Sequence, residues 1–451
     1  MPEIILKINT KVKKVTAILL LLVFTSACQP TPQRAAVVYG GDLQEKIERS
    51  SASIAAYNAP DHWQETLDMN GSNAKVEINA AVTVPDVTAF PIYKVKQTQF
   101  DDVRIQPLVK YFVQGREVEK NKEPTKAELE EQLVLAKKDN DEEWVADLED
   151  RISKAPESVK TEYITDWQVD QSPSGSFLTE DGEYAGIYVS PDTFIFGKGY
   201  VETEYVKALN DKGKIGEISV SKEDAIAAAQ KVLHEIGIDY MAASSLEKAE
   251  RYARLSNSGG VNYSEKLISK GYLIKFARNI DGIAGIINEG VGFNVMDKFA
   301  YTAPIYPEEI QMYVDETGKA QSFVWAKPLK IEDKLNENVA LMPFDEIKQR
   351  ICDMLNFINS YQSKMKTVNR EPVTVTRVEM KMTLINVKDK PDEAMYVPSW
   401  FIYYDEKFES VTQTAKLVLN AIDGGRVLEL PTDMSPEIEQ QMEEDRKALN
   451  K

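Results

Sequence analysis

The two histidines are the first residues to test for chemistry, because zinc sites and acid–base triads depend on this side chain. His62 and His234 lie far apart, which excludes a zincin helix with histidines four residues apart and a three-histidine zinc site. His234 follows Leu233 at the end of a predicted helix, where a histidine complements the helix C-terminus. His62 stands beside Trp63 and is predicted to lie in a loop. Neither is predicted to be a ligand or a catalytic base.

Other catalytic motifs are also missing from the sequence. No Gly-x-Ser-x-Gly elbow precedes a helix, and Gly282-Ile283-Ala284-Gly285 lacks the third glycine of a dinucleotide loop. The 72 acidic residues leave a carboxylate-based hydrolase open as an alternative, since any two could flank a glycosidic bond. Asp139-Asn140-Asp141 and Asp281-Gly282 do not provide the twelve-residue calcium loop with its terminal glutamate. We therefore predict no catalytic residue, no metal site and no cofactor.

One of the two cysteines, Cys28, follows a segment typical of secretory signals. Lysines between Lys7 and Lys14 precede a run, Val15–Phe24, that is apolar except for Thr16, and the small residues Thr25–Ala27 follow it. A run of about ten residues is too short for a transmembrane helix, which requires roughly 20. The other cysteine, Cys352, is predicted to be a small buried hydrophobic residue on a helix.

The sequence Thr25-Ser26-Ala27-Cys28 resembles the lipobox of bacterial lipoproteins, in which the thiol receives a diacylglycerol and becomes the new N-terminus. Ala27 and Cys28 match the pattern, whereas Thr25 stands where leucine is commonest. The resemblance implies a signal peptide over 1–27, a flexible tether over 28–41, and attachment to the extracytoplasmic face of the cell membrane of a Gram-positive-type bacterium. The alternative is an ordinary secretory signal followed by a chance cysteine.

Four aromatic residues, Trp400, Phe401, Tyr403 and Tyr404, alternate along one predicted strand. Because successive side chains of a strand point to opposite faces, Trp400 and Tyr404 share one face and Phe401 and Tyr403 the other. Aromatic rings on an exposed sheet face could stack on sugars or clamp a peptide, which makes these four the candidate binding surface. The alternative is burial, under the helix around Ile347 on one face and between domains on the other.

Composition limits the partners that the chain can bind. Its 451 residues suffice for two or three domains of roughly 150 residues each. Hydrophobic residues make up 43% and charged residues 28%, which is typical of globular proteins. The net charge of −18 repels phosphate backbones, so we predict no binding to nucleic acid.

Residues 42–214 are predicted to form an N-terminal α+β domain. Between Ala74 and Val118, three segments rich in β-branched and aromatic residues are predicted to be strands of an antiparallel sheet, the last being Val103–Val113. A charged helical hairpin is predicted over 122–154, because Thr125-Lys126-Ala127-Glu128 has the spacing of a capping box and apolar residues follow at helical intervals.

The rest of the chain is predicted to repeat one unit twice, over 215–335 and 336–432, before an acidic tail or helix at 433–451. In the first copy Ser221 caps a helix that Gly237 ends, and antiparallel strands follow. The second copy also places a helix before its strands. The predicted fold class is therefore α+β, with antiparallel sheets throughout and tandem helix-plus-antiparallel-sheet units in the C-terminal half.

This C-terminal half resembles the PepSY-type domains of bacterial envelope proteins, through its capped helix ending in glycine, its Arg-Asn-Ile-Asp-Gly-Ile hairpin and its Asp-Glu-Thr-Gly-Lys turn. Ile218 to Leu430 is similar to the YycH and YycI regulators of a cell-wall sensor kinase. The whole chain also resembles uncharacterised lipoproteins of Gram-positive gut bacteria. Those regulators keep an N-terminal transmembrane helix and have no counterpart of residues 74–205, so a role in kinase regulation does not carry over.

The function expected from these features is that of a lipid-anchored extracytoplasmic lipoprotein without catalytic machinery. It would contact the membrane through the lipid on Cys28 and bind or regulate a protein or peptide partner in the cell envelope. Two alternatives stay open at this point, a carboxylate-based envelope hydrolase and a ligand-capturing lipoprotein for transport.

Overall fold

The computed structural model describes residues 43, 46–47, 58–68, 75–139, 142–199, 204–208, 216–256, 263–288, 301–364, 373–387, 390–408 and 411–429. The predicted signal peptide with Cys28, the tether at 28–41 and the tail at 433–451 lie outside the described residues. The chain divides into two compact units, each assembled from segments that are distant in sequence.

The first unit consists of Met1–Gln97, Asn279–Pro307 and Lys330–Lys451 and contains a seven-stranded sheet. Its strands are β1 (His62–Asp68), β2 (Lys75–Thr83), β3 (Ile92–Gln97), β15 (Leu329–Asn336), β16 (Val373–Val387), β17 (Lys390–Phe408) and β18 (Val411–Asn420). The order is β1-β2-β16-β17-β3-β15, and β18 pairs with the second half of β17. Alternation along β2 buries every second residue, which explains why this segment forms a strand with one face in the core.

One long helix and three short strands complete the first unit. The helix α5 (Phe344–Lys364) packs its first turn on the sheet, where the Phe344 ring meets the Trp400 ring edge-on at 5.0 Å. β11 (Ile283–Ala284) closes a hairpin across Asp281 and Gly282, both with positive φ. The predicted Asp-Gly hairpin is thereby confirmed, because few residues other than glycine and aspartate tolerate these angles. β12 (Tyr301–Thr302) and β19 (Val427–Leu428) form a parallel pair.

The second unit consists of Thr98–Arg278 and Glu308–Leu329 and contains one large sheet. Its strands are β4 (Glu119–Lys120), β5 (Ser174–Leu178), β6 (Tyr184–Ser190), β7 (Thr193–Lys198), β8 (Glu204–Ala208), β9 (Met241–Ser256), β10 (Tyr263–Ile280), β13 (Glu309–Asp315) and β14 (Ala320–Ala326). They lie in the order β4-β5-β6-β7-β14-β13-β10-β9-β8 with antiparallel neighbours.

Two helices of the second unit, α1 (Asp102–Val113) and α4 (Lys222–Glu235), share a hydrophobic core with the large sheet. The prediction that Val103–Val113 is a strand is wrong. Asp101 caps the helix by accepting a hydrogen bond from the Arg104 amide at 2.7 Å. The buried residues of α1 also recur at helical spacing, and this pattern outweighs the strand preference of β-branched residues: Ile105, Leu108, Val109, Phe112 and Val113.

The predicted charged hairpin is present as α2 (Lys126–Asp139) and α3 (Glu142–Lys154). Thr125 and Glu128 form the predicted capping box, with the Glu128 amide donating to Thr125 Oγ1 and the Thr125 amide donating to Glu128 Oε2. The two helices bury a small apolar core of their own around Leu129, Ala136 and Leu148. The hairpin is thus held together mainly by contacts between its own helices.

The predicted fold class is wrong in its main point. Strands account for 47% of the described residues and helices for 23%, so the molecule is mostly β-sheet with few helices and is not a helix-plus-sheet PepSY-like arrangement. The predicted tandem units are not present, because their strands pair with strands from the N-terminal half of the chain. β16 pairs with β2 from the N-terminal part, and β14 pairs with β7. These non-local pairings leave no self-contained helix-plus-sheet unit.

In the part of the chain that the structure describes, no helix combines the length and the apolar character required to cross a membrane.

Candidate functional site: a groove in the second unit

The four aromatic residues predicted as a binding surface are buried in β17 of the first unit. Trp400, Phe401, Tyr403 and Tyr404 are at most 7% exposed, which corresponds to the alternative that the sequence left open. Trp400 lies against Phe344 of α5, as burial under that helix requires. With so little exposed ring surface they do not form an open face for sugars or peptides.

Both histidines occupy surface positions without a metal site. His234 ends α4, and its Nδ1 lies 2.7 Å from Asp239 Oδ1, which raises the pKa of the imidazole. His62 is exposed and begins β1 rather than lying in a loop. Within the described ranges, no group of three or more His, Cys, Asp or Glu side chains could hold a metal ion. Cys352 is buried as predicted, and burial raises the pKa of its thiol to about 12.

The second unit contains a groove of about 640 Å³ between α1, α4 and two hairpin turns. This volume is in the range of about 300–1,000 Å³ that is typical of ligand sites. Its wall comes from the end of α1 and the loop after it (Tyr111–Arg116), the β5–β6 turn (Thr179–Asp181), the end of β7 (Phe196, Lys198), the last turns of α4 (Ala228–Glu235) and the β13–β14 turn (Gly318–Ala320).

Local sequence signals hold the elements of this groove in place. Ser221 caps α4 as predicted, since the Asp224 amide donates to Ser221 Oγ at 3.0 Å, and Gly237 follows the helix with φ +80°. On the opposite wall, Gly318 adopts φ +77° in the β13–β14 turn, and the Asp315 carboxylate accepts from the Thr317 amide at 2.9 Å. These local hydrogen bonds and turn angles set where α4 and the β13–β14 turn begin and end.

The floor of the groove is aromatic. Phe112 of α1 stacks on Phe196 of β7 with ring centroids 4.5 Å apart, and it also lies 5.1 Å from Phe323. Tyr111 and Val232 border these rings. Burial and the hydrogen bond to Glu235 raise the pKa of Tyr111, so its hydroxyl stays protonated and donates to that carboxylate. Because Phe112 and Phe196 are at most 7% exposed, they belong to the core beneath the groove, and the half-buried Tyr111 provides the aromatic surface that a ligand can reach.

The charged residues of the groove are partly paired. Lys198 Nζ lies 2.6 Å from Asp181 Oδ2, and this hydrogen bond, with one from Thr179, lowers the pKa of Asp181 to about 2. Asp181 is therefore ionised at neutral pH and cannot serve as a general acid. Lys231 lies 3.9 Å from Glu235. The arrangement suits binding and orientation better than acid–base catalysis.

A second cluster of ionisable residues is buried elsewhere in the second unit. Arg278 Nε donates to Glu308 Oε2 at 2.8 Å, and Trp325 Nε1 donates to Glu308 Oε1 at 3.1 Å. The guanidinium lies 4.2 Å from the centre of the Tyr240 ring and donates to the Leu329 carbonyl. Burial raises the pKa of Glu308, and Arg278 opposes this shift. Because both carboxylate oxygens have partners and Glu308 is 1% exposed, this cluster is structural.

The sequence does not reveal the groove because its residues come from five segments between 111 and 320. The helix α4 was the part of the groove that the sequence indicated, since its Ser221 cap and its Gly237 end were both predicted. The opposite wall was hidden by the strand prediction for α1, which had placed Tyr111 and Phe112 on opposite faces of a sheet.

Comparison with solved structures finds distant neighbours of this chain. The chain is similar to an uncharacterized protein from Eubacterium rectale ATCC 33656, with 12% identity and a TM-score of 0.42 over 85% of this chain and 96% of that one. It is also similar to the Bacillus megaterium YpeB C-terminal domain, with 11% identity and a TM-score of 0.28 over 73% and 96%. The second neighbour is loosely in line with the PepSY resemblance, but at these TM-scores neither likeness carries an argument. No family model matches the chain, and no curated protein matches it in sequence.

Proposed function

We propose that this protein is a lipid-anchored, extracytoplasmic binding protein that captures a short segment of an envelope protein in the groove of its second unit. The observation that carries the proposal is the groove itself, with the half-buried Tyr111 and Ala228 as apolar surface and charged side chains along its rim. Apolar surface provides affinity, and a charged rim provides orientation and selectivity.

Binding rather than catalysis is favoured by the chemistry of the rim. Asp181 is held in the ionised state by Lys198, and the Tyr111 hydroxyl is engaged with Glu235. A glycosidase would need two carboxyl groups at a defined separation with one of them protonated. Asp181, with its lowered pKa, does not fill the acid role, which favours binding over hydrolysis at this part of the rim.

The location is proposed from the sequence at the N-terminus. The signal-like segment before Cys28 and the four-residue lipobox match support attachment through a diacylglycerol. Labelled fatty acid should be incorporated into the wild-type protein in cells and not into Cys28→Ala. An unlabelled wild-type protein would refute the anchor without affecting the groove.

The binding role can be tested by site-specific photocrosslinking in intact cells. A benzoylphenylalanine at Lys231, which lines the groove, should form an adduct with an envelope protein. The same group at Gln230, which is exposed on α4 outside the groove, should not form that adduct.

A groove-filling substitution makes this test specific. Ala228→Trp places an indole in the groove from α4, whereas Ala227→Trp places it on the exposed side of the same helix. The adduct at Lys231 should disappear with Ala228→Trp and persist with Ala227→Trp. An adduct that both variants retain would show that capture does not use the groove, and the proposed function would be wrong.

A further inference from the structure

The rim of the groove has an excess of cationic side chains, although the chain as a whole carries a net charge of −18. Arg116, Lys198, Lys231 and Lys319 line it, against three carboxylates. Positive side chains therefore outnumber negative ones at the rim, whereas negative side chains outnumber positive ones in the molecule as a whole. A site of opposite sign to its surroundings is the pattern expected where a ligand of complementary charge binds.

Two of these cations are not neutralised within the described part of the chain. Lys198 pairs with Asp181, and Lys231 lies near Glu235, whereas neither the Arg116 guanidinium nor the Lys319 ammonium pairs with a carboxylate there; the Lys319 backbone amide donates to Asp315. The remaining carboxylate of the rim, Glu180, is exposed on the β5–β6 turn.

Arg116 is the stronger anchor of the two. Its Nη1 donates to Gln114 Oε1 at 2.9 Å and to the Val113 carbonyl at 3.3 Å, which fixes the side chain at the end of α1. Its Nε and Nη2 donors have no acceptor among the described residues. A half-buried guanidinium held on one edge leaves the other edge ready for bidentate binding of a carboxylate.

We infer that the groove selects an acidic segment of its protein partner, in which an Asp or Glu binds Arg116 and a neighbouring apolar side chain contacts the half-buried Tyr111 and Ala228. This inference rests on the proposed function and specifies the chemistry of the occupant. A long polyanion is disfavoured because the acidic remainder of the molecule repels it, whereas one or two carboxylates act within the screening length of about 8 Å. Lys319 on the opposite turn contributes a second, more exposed positive charge.

The test is a selection from a library of random octapeptides displayed between neutral flanks, with the full chain immobilised through a C-terminal tag. The same library is selected in parallel on the Ala228→Trp variant. Peptides that bind the wild type but not this variant are those that depend on the groove. We expect them to be enriched in Asp or Glu within two positions of an aromatic or branched apolar residue. Arg116→Glu should weaken their binding about tenfold or more, since a charge-assisted bond is lost and repulsion is added.

Matched variants separate charge recognition from folding. Lys160→Glu changes net charge equally at an exposed position outside the groove and should leave binding unchanged. Arg116→Gln keeps an amide donor for the Val113 carbonyl and should give an intermediate loss. If Arg116 only closes the end of α1, both Arg116 variants would shift the melting temperature and leave peptide preference unchanged, which would overturn the inference.

The outcomes distinguish the inference from the proposed function. Groove-dependent peptides without acidic enrichment would overturn the acidic preference and leave the groove as a binding site. Identical peptide pools from the wild type and Ala228→Trp would overturn the proposed function and the inference with it.

Discussion

Removing one partner of the buried Arg278–Glu308 pair should lower the stability of the folded protein far more than removing both. In Arg278→Met the Glu308 carboxylate, 1% exposed, would keep the hydrogen bonds from Trp325 Nε1 and the Leu329 backbone amide but lose its cationic partner. An unpaired buried charge costs about 3–5 kcal/mol. For a unit of this size each kcal/mol lowers the melting temperature by about 2–4 °C, so we expect a decrease of about 10 °C.

The double variant Arg278→Met/Glu308→Leu removes the unpaired charge. Trp325 Nε1 and the Leu329 carbonyl would still lose partners, so the double variant should remain less stable than the wild type. It should nevertheless be more stable than the sum of the two single changes predicts, by at least about 2 kcal/mol. Urea unfolding of the four proteins, followed by circular dichroism, measures this coupling.

The pH dependence provides an independent check of the same reasoning. Burial raises the pKa of Glu308, and losing Arg278 should raise it further. A carboxyl whose pKa is higher in the folded than in the unfolded state binds more protons when folded, so stability rises as pH falls through the folded pKa. Arg278→Met should therefore regain stability between neutral pH and about pH 5, relative to the wild type. The assignment of a buried, coupled pair would be refuted by two results together: stability losses of the two single variants that add up to the loss of the double variant, and no gain in stability of Arg278→Met at lower pH.

Three further outcomes follow from the packing. Gly271→Ala would place a Cβ 2.0 Å from a carbonyl oxygen of the facing strand and should cost more than about 3 kcal/mol in urea unfolding, whereas Gly197→Ala, with open space at that position, should cost less than about 1 kcal/mol. Trp400→Ala should cost about 3–5 kcal/mol because the ring is fully buried, and a cost below about 1 kcal/mol would contradict its position in the core. Asp239→Asn should lower the pKa of His234 in an NMR titration, and an unchanged pKa would mean that their 2.7 Å contact does not form in solution.

Features that depend on residues close together in sequence were predicted correctly, whereas features that depend on distant residues were not. The Ser221 cap of α4 and the Asp281–Gly282 hairpin turn were predicted correctly, because each depends on residues within a few positions. α1 was predicted as a strand because its β-branched residues were given more weight than the helical spacing of its apolar residues. The Asp101 cap and the burial of those residues in the core show that the segment is a helix. The candidate surface in β17 illustrates the same limit, since alternation assigns side chains to two faces but does not show which faces are covered.

What the sequence by itself determined is local: the signal-like segment before Cys28, the helix caps, the turns and the absence of a histidine-based site. Only the tertiary structure decided that β2 joins β16 and that β7 joins β14, and these pairings replace the predicted tandem units with two sheets. The pairing of β7 with β14 also places Phe196 and Lys198 beside the β13–β14 turn of the groove. The physical reason is that strand pairing and burial are set by partners more than a hundred residues away, which no local pattern specifies.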